Sequence, residues 1–224
     1  MTRVQQLGPR AQRTRRAILA AAESVFAEKG FAAARLEDVA AQVEIRRASL
    51  VYYFRDKRSL YEAVLQDLLG ELLVRYQAVL DGAGTMPEKL ERIMTVWLDY
   101  LAERPALSRI VLRETAESSP LSAVLADGIR PLIQAVLGVV VEGQRLKQFD
   151  PVDPIRFVLT IAGSTIFYDA FAQVLNGGRL HDPQELYIPT GHTDEVLRIL
   201  RRLVGTRSLR AVPSSSLGGR RRLT

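Results

Sequence analysis

Leu36-Glu37-Asp38-Val39-Ala40-Ala41-Gln42-Val43-Glu44-Ile45-Arg46-Arg47-Ala48-Ser49-Leu50-Val51-Tyr52-Tyr53-Phe54 is the stretch that decides how the rest of the chain is read. Leu36, Val39, Ala40 and Val43 share one helical face, and Leu50, Tyr53 and Phe54 recur at i, i+3 and i+4 on another. A very short turn around Glu44 separates them, with Ile45 facing back toward the first helix. A helix, a tight turn and a second short helix rich in Arg and Tyr form a helix-turn-helix arrangement. With Ile45, Leu50 and Phe54 turned inward, Arg46, Arg47, Ser49 and Tyr52 stand on the outer side. In such units the first helix crosses a nucleic-acid backbone and the second enters the major groove, which is wide enough for one α-helix. Guanidinium groups grip guanine edges or phosphates, and hydroxyls suit phosphate oxygens.

Upstream, Ile18, Ala22, Val25 and Phe26 mark one face of a longer helix, with Thr14 as its expected N-cap and Lys29-Gly30 as its stop. Downstream, Asp56 is expected to cap a helix carrying Leu60, Val64, Leu68 and Leu72. Lys57 would sit at its start, where backbone N–H groups and the ammonium share one phosphate. Further helices are expected near 60–80, 87–103, 105–115, 119–146, 152–175 and 193–205, with Pro131 kinking or restarting the fourth of them. Strand-like alternation is nearly absent.

Charge divides the chain in the same way. Residues 1–60 carry 12 basic against 6 acidic side chains, residues 61–205 carry 14 against 19, and residues 206–224 carry 5 against none. A basic N-terminal unit is suited to a polyanion that the acidic middle would repel. There is no Cys, which excludes disulfides, thiolate metal sites and cysteine nucleophiles. His181 and His192 lack a carboxylate partner set for a metal, and no Gly-rich phosphate loop opens a helix, so neither metal, cofactor nor catalysis is expected. No uninterrupted apolar run approaches the ~20 residues of a membrane helix, and the start, Met1-Thr2-Arg3-Val4, has no leader-like apolar stretch. A soluble, cytoplasmic protein without membrane attachment is the expectation.

The run from Thr14-Arg15-Arg16-Ala17-Ile18-Leu19, through Phe26-Ala27-Glu28-Lys29-Gly30-Phe31 and Leu36-Glu37-Asp38-Val39-Ala40, to Ser49-Leu50-Val51-Tyr52-Tyr53-Phe54-Arg55-Asp56-Lys57 resembles the TetR family of bacterial transcription regulators. The resemblance covers about fifty residues. It implies an all-helical homodimer, with a three-helix head that binds double-stranded DNA at a near-palindromic operator. A divergent helical body would bind a small effector, and the protein would act as a repressor released by it. Some positions depart from the family pattern. Glu44 stands where Gly is usual, at a left-handed turn that strains other residues. Arg46 replaces a capping Ser or Thr, at a cost of about 1 kcal/mol. Ala34 and Arg35 stand where Thr is common, and Val51 where Tyr is. Arg35, Arg46 and Arg47 restore positive charge. The expected DNA-binding set is thus Arg35, Arg46, Arg47, Ser49, Tyr52, Tyr53 and Lys57, with Tyr53 equally readable as core. The arm residues Arg3, Arg10, Arg13, Arg15 and Arg16 read either as an unstructured basic end or as an extension toward the minor groove.

In the body, Trp97, Tyr100, Phe157, Phe167, Tyr168 and Phe171 recur at helical spacing, as ordinary core or as the lining of an effector pocket. Arg113, Glu114 and Asp169 are the polar candidates. The expected effector set is Trp97, Tyr100, Arg113, Phe167, Tyr168 and Phe171. By the resemblance, the last two long helices pack against their twofold mates, with Gly163, Ser164 and Ala170 allowing close approach. The expected organisation is a flexible basic arm over 1–12, a DNA-binding domain over 13–60, an effector-binding and dimerisation domain over 61–205, and a disordered basic tail over 206–224. The competing reading is a helical small-molecule-binding protein with weakened DNA affinity.

Overall fold

The computed structural model describes residues 8–117, 122–177, 193–203 and 205, and these residues form helices only. They are α1 (Pro9–Ala33), α2 (Leu36–Gln42), α3 (Arg47–Tyr53), α4 (Lys57–Asp81), α5 (Met86–Glu103), α6 (Ala106–Glu117), α7 (Ser122–Arg145), α8 (Pro154–Gly177) and α9 (Thr193–Leu203).

The first helix starts earlier than expected. Pro9 opens it, since proline's fixed φ and missing N–H cost nothing at that position. Thr14 therefore lies inside α1, its hydroxyl donating to the Arg10 carbonyl at 3.2 Å rather than capping. The expected arm over 1–12 thus contains the first turn of a helix. Gly30 takes φ 73° and ψ 168°, which ends the regular helix ahead of Phe31. An Ala there would suffer the left-handed conformation and would place its Cβ 2.6 Å from Arg113 Cδ.

The missing hydroxyl cap of α2 has a substitute. The Arg35 N–H donates to Asp38 Oδ2 at 3.1 Å, and Lys29 Nζ reaches the same oxygen at 3.1 Å. The Lys29 contact, then the Arg35 N–H, hold the Asp38 carboxyl below its usual range. No side chain caps α3 at Arg46. At α4, Asp56 Oδ1 accepts the Ser59 N–H at 2.7 Å while the Asp56 N–H donates to Ser59 Oγ at 3.1 Å. That reciprocal arrangement stops α4 from fraying where it leaves the head.

A core of the buried Ile18, Ala22, Phe26, Val39, Leu50 and Leu60 holds α1 to α3 against the start of α4. The boundary expected at 60 falls inside α4, which runs on into the body and packs on α1, α5 and α7. The seventh helix continues through Pro131 without restarting. By length and composition α7, and α8 over Pro154–Ala172, are apolar enough to cross a bilayer, with mean hydropathy 1.7 and 1.3. Here α7 packs against α4 and α5. The His pair and the 206–224 tail lie outside the described residues.

Candidate nucleic-acid interface and ligand cavity

The turn between α2 and α3 is held by its backbone. The Ile45 N–H donates to the Ala40 carbonyl at 3.0 Å and the Glu44 N–H to Ala41 at 3.2 Å. Glu44 takes φ 55°, the left-handed conformation that a glycine would adopt without strain. Leu50 and Phe54 are buried beneath α3, so Arg46, Arg47, Ser49 and Tyr52 share its exposed side, Tyr52 being 75% exposed. Tyr53 is half-buried against the core and meets Tyr52 edge-on at 5.3 Å. Arg35 is exposed just before α2.

Two of the basic candidates are already engaged. Arg47 Nε lies 3.2 Å from Glu37 Oε1, an exposed pair that water and salt weaken. Lys57 Nζ donates to the Ala32 and Ala34 carbonyls at 3.1 and 3.0 Å and stands 4.6 Å from the Phe31 ring centroid. Its ammonium therefore caps the carbonyl end of α1 rather than standing open beside the start of α4.

The body is hollow between α4, α5, α6, α7 and α8. An inner chamber of about 370 Å³ is walled by apolar side chains such as Leu69, Met94, Ile133 and Phe157, together with Trp97 and Tyr76. Trp97 Nε1 donates to Thr165 Oγ1 at 2.8 Å, which fixes the indole at the wall. A second space of about 520 Å³, between α6 and α7, shares Val111, Thr115, Ile129 and Ile133 with the chamber and adds Glu114, Arg130 and Gln134.

Of the six residues expected at an effector site, Trp97 alone is on the chamber wall. Tyr100 is fully buried in the α4–α5 core, donating to the Leu68 carbonyl at 2.7 Å. Arg113 points to the head, where Nη2 reaches the Glu28 carbonyl at 3.3 Å and its chain covers Gly30. Phe167 and Phe171, 58% and 43% exposed, stack on each other at 5.5 Å on the outer side of α8. Tyr168 is half-buried and not among the wall residues of either space. Asp169 accepts from the buried Ser108 hydroxyl at 2.6 Å. Sequence reasoning missed Tyr76. Its signal was a phenol on the apolar Leu65-Leu69-Leu72 face of a leucine-rich helix, a face that also carries Tyr61.

Charged groups join head and body. Arg104 Nε and Nη2 grip both oxygens of Glu23 on α1 at 3.1 and 2.5 Å, and Nη1 reaches Glu71 at 2.8 Å. The Glu23 contact holds the Arg104 proton still more firmly than usual. The Tyr61 hydroxyl donates to the buried Glu114 carboxylate at 2.7 Å. Burial, then this acceptor, push the phenol well above its ordinary range.

Residues 18–64 match the family model described as bacterial regulatory proteins, tetR family. The chain is 27% identical over 172 residues to the HTH-type transcriptional regulator RutR of Escherichia coli (strain K12), covering 75% of this chain and 81% of that protein. It is 33% identical over 104 residues to the HTH-type transcriptional repressor KstR2 of Mycolicibacterium smegmatis, covering 46% of this chain and 51% of that one. Among solved structures, the transcriptional regulator FadR of Bacillus subtilis in complex with stearoyl-CoA superposes with a TM-score of 0.67 at 19% identity, over 83% of this chain and 96% of that chain.

Proposed function

The chain belongs to the tetR family of bacterial regulatory proteins and is a DNA-binding transcriptional regulator, and from that premise we propose that it is a homodimeric repressor whose operator is released when a small molecule fills the cavity of the body. The observation that carries this reading is the continuity of α4. It packs on α1 of the head, and Leu69 and Tyr76 further along it wall the inner chamber. An occupant that favours one placement of α4 changes DNA affinity by its difference in affinity for the two states, and by no more. The stearoyl-CoA bound by the FadR relative supports a small-molecule role for such a body.

The contacts proposed on DNA are Arg46 and Arg47 to bases or phosphates, with Arg35, Ser49, Tyr52 and Tyr53 on the backbone. Lys57 orders the junction between α1 and α4 and adds charge nearby. Dimerisation is supported by Ile155, Leu159, Phe167, Phe171 and Val174, large apolar side chains exposed along α8, and by Ile199 on α9. Exposed apolar surface arranged in this way marks an interface. Two recognition helices about 34–36 Å apart would then read two half-sites. The protein acts by binding, and its site of action, the chromosome, sets it in the cytoplasm.

Selection of bound duplexes from a random pool at physiological salt tests the reading, beside sedimentation of the free protein. A near-palindromic motif and a mass twice the 25.0 kDa chain are expected. Binding without a motif that vanishes as salt rises would instead favour the ligand-binding protein with weakened DNA affinity.

A further inference from the structure

The walls of the cavity carry information about the charge of what fills it. Apart from the Thr115 hydroxyl, which donates to the Val111 carbonyl at 2.8 Å, the inner chamber is lined by hydrocarbon and aromatic surface, and among the described residues no Lys, Arg, Asp or Glu stands on its wall. An ion carried there would lose its hydration with no partner in return. Tyr76 adds one specific demand. It lines the chamber and is 4% exposed. Among the described residues nothing accepts a hydrogen bond from its hydroxyl. Every fully enclosed side-chain oxygen or nitrogen among those residues has a partner, so the Tyr76 oxygen keeps a sliver of open surface. Its desolvation alone raises the phenol above the ordinary range, keeping it a donor at every physiological pH.

The outer space between α6 and α7 completes the selection. The charged groups on its wall are Glu114 and Arg130. Arg130 is exposed and paired with Asp127 at 3.1 Å, whereas Glu114 is 2% exposed and receives the Tyr61 hydroxyl. A carboxylate or phosphate ligand lying through both spaces would meet the acceptor oxygens of the buried Glu114 side chain. The two spaces in succession suit length rather than bulk.

Resting on the reading of this cavity as the effector site, we propose that its ligand is a neutral, elongated, mostly apolar molecule with one carbonyl, ether or hydroxyl oxygen that accepts the Tyr76 hydrogen bond. Trp97 is the one Trp of the chain and stands on the chamber wall, which makes its fluorescence a direct reporter. The experiment titrates the full chain, below micelle formation, with dodecanol, dodecanoate and dodecylamine, which share a chain length and differ in charge. Dodecanol should change Trp97 emission saturably, and each charged probe should bind at least about tenfold more weakly. Tyr76→Phe, which keeps the ring, should weaken dodecanol about fivefold. Glu114→Gln should narrow the gap between dodecanoate and dodecanol. Dodecanoate or dodecylamine binding as tightly as dodecanol, no binding of dodecanol, or an unchanged affinity in Tyr76→Phe would each overturn the proposal. DNA release is read separately by anisotropy of a labelled operator. Dodecanol that binds as expected yet leaves the complex intact would break the release reading and leave the ligand class standing.

Discussion

In the head, the side chains suited to function stand on an exposed face of α3 above a core of buried side chains such as Phe26, Leu50 and Leu60. In the body, they face inward, around a chamber of about 370 Å³. The two regions share one helix and the same fold class, yet they ask different things of their residues. A three-helix unit needs stiffness so that its outer face keeps its shape against a duplex. A hollow bundle must tolerate unfilled volume and still hold its walls apart. The contrast teaches that stability and function are coupled differently in each: a core substitution in the head should damage both, and a wall substitution in the body should trade one for the other.

The largest expected effect tests that difference. Leu50→Ala removes a fully buried side chain from the core of the head and should cost about 3 kcal/mol. Leu132→Ala, on the chamber wall, should cost about 1–2 kcal/mol, because a side chain beside open space has fewer contacts to lose. Equal costs in urea titrations would remove the distinction between head and body. Next is the connection between the regions. Arg104→Ala takes the guanidinium from Glu23, while Glu71 keeps Arg75 at 2.8 Å, and should cost about 2 kcal/mol. That corresponds to a fall of roughly 4–8 °C in Tm. A melt that splits into two steps would mark Arg104 as the tie between the regions, and an unchanged melt would deny it that role.

Smaller effects concern the DNA face. Arg47→Ala should weaken operator binding about tenfold with helicity unchanged. Glu37→Gln should tighten it slightly, since it frees Arg47 from a partner at 3.2 Å. Unchanged binding in a mobility-shift titration would count against Arg47. The smallest effect is acid sensitivity of the head. Asp38, through Lys29 and the Arg35 N–H, and Asp56, through the Ser59 N–H, both have carboxyls lowered in the folded state. Their contribution is fully present above the unfolded value of about 4 and is lost as pH falls through the lowered folded values. Substituting both by Asn should flatten the acid limb of the stability curve between about pH 5 and pH 2.

The head was largely legible from sequence because its signals are local. The face formed by Leu36, Val39, Ala40 and Val43, the short turn at Glu44 and the cap at Asp56 each depend on neighbours within a few positions. Where the head departed from expectation, a longer-range contact was responsible. Lys57 is drawn to carbonyls 23 and 25 positions away. The start of α1 at Pro9 rather than near Thr14 was a boundary decided by proline geometry. The body was legible as helices but not as a site. Helical spacing puts Trp97, Tyr100, Phe167 and Phe171 on apolar faces, yet it does not say whether a face meets core, chamber or a second subunit. Trp97 meets the chamber, Tyr100 the core, and the Phe167–Phe171 stack meets open surface. Helical spacing makes Arg113 a polar candidate for a pocket, because nothing in sequence links it to Gly30, which lies 83 positions earlier and is covered by its side chain.

The strained turn at Glu44 has a consequence on the evolutionary scale. Codons for glutamate and glycine differ at a single base, so a turn without strain and without an acidic group near the duplex is one mutational step away. Residue 44, at φ 55°, is thus a dial with an accessible higher setting. A regulator that holds its operator less tightly than its scaffold permits can be dislodged by a ligand of modest discrimination, because the population to be shifted starts closer to balance. Glu44→Gly is therefore expected to tighten operator binding without touching the chamber of the body.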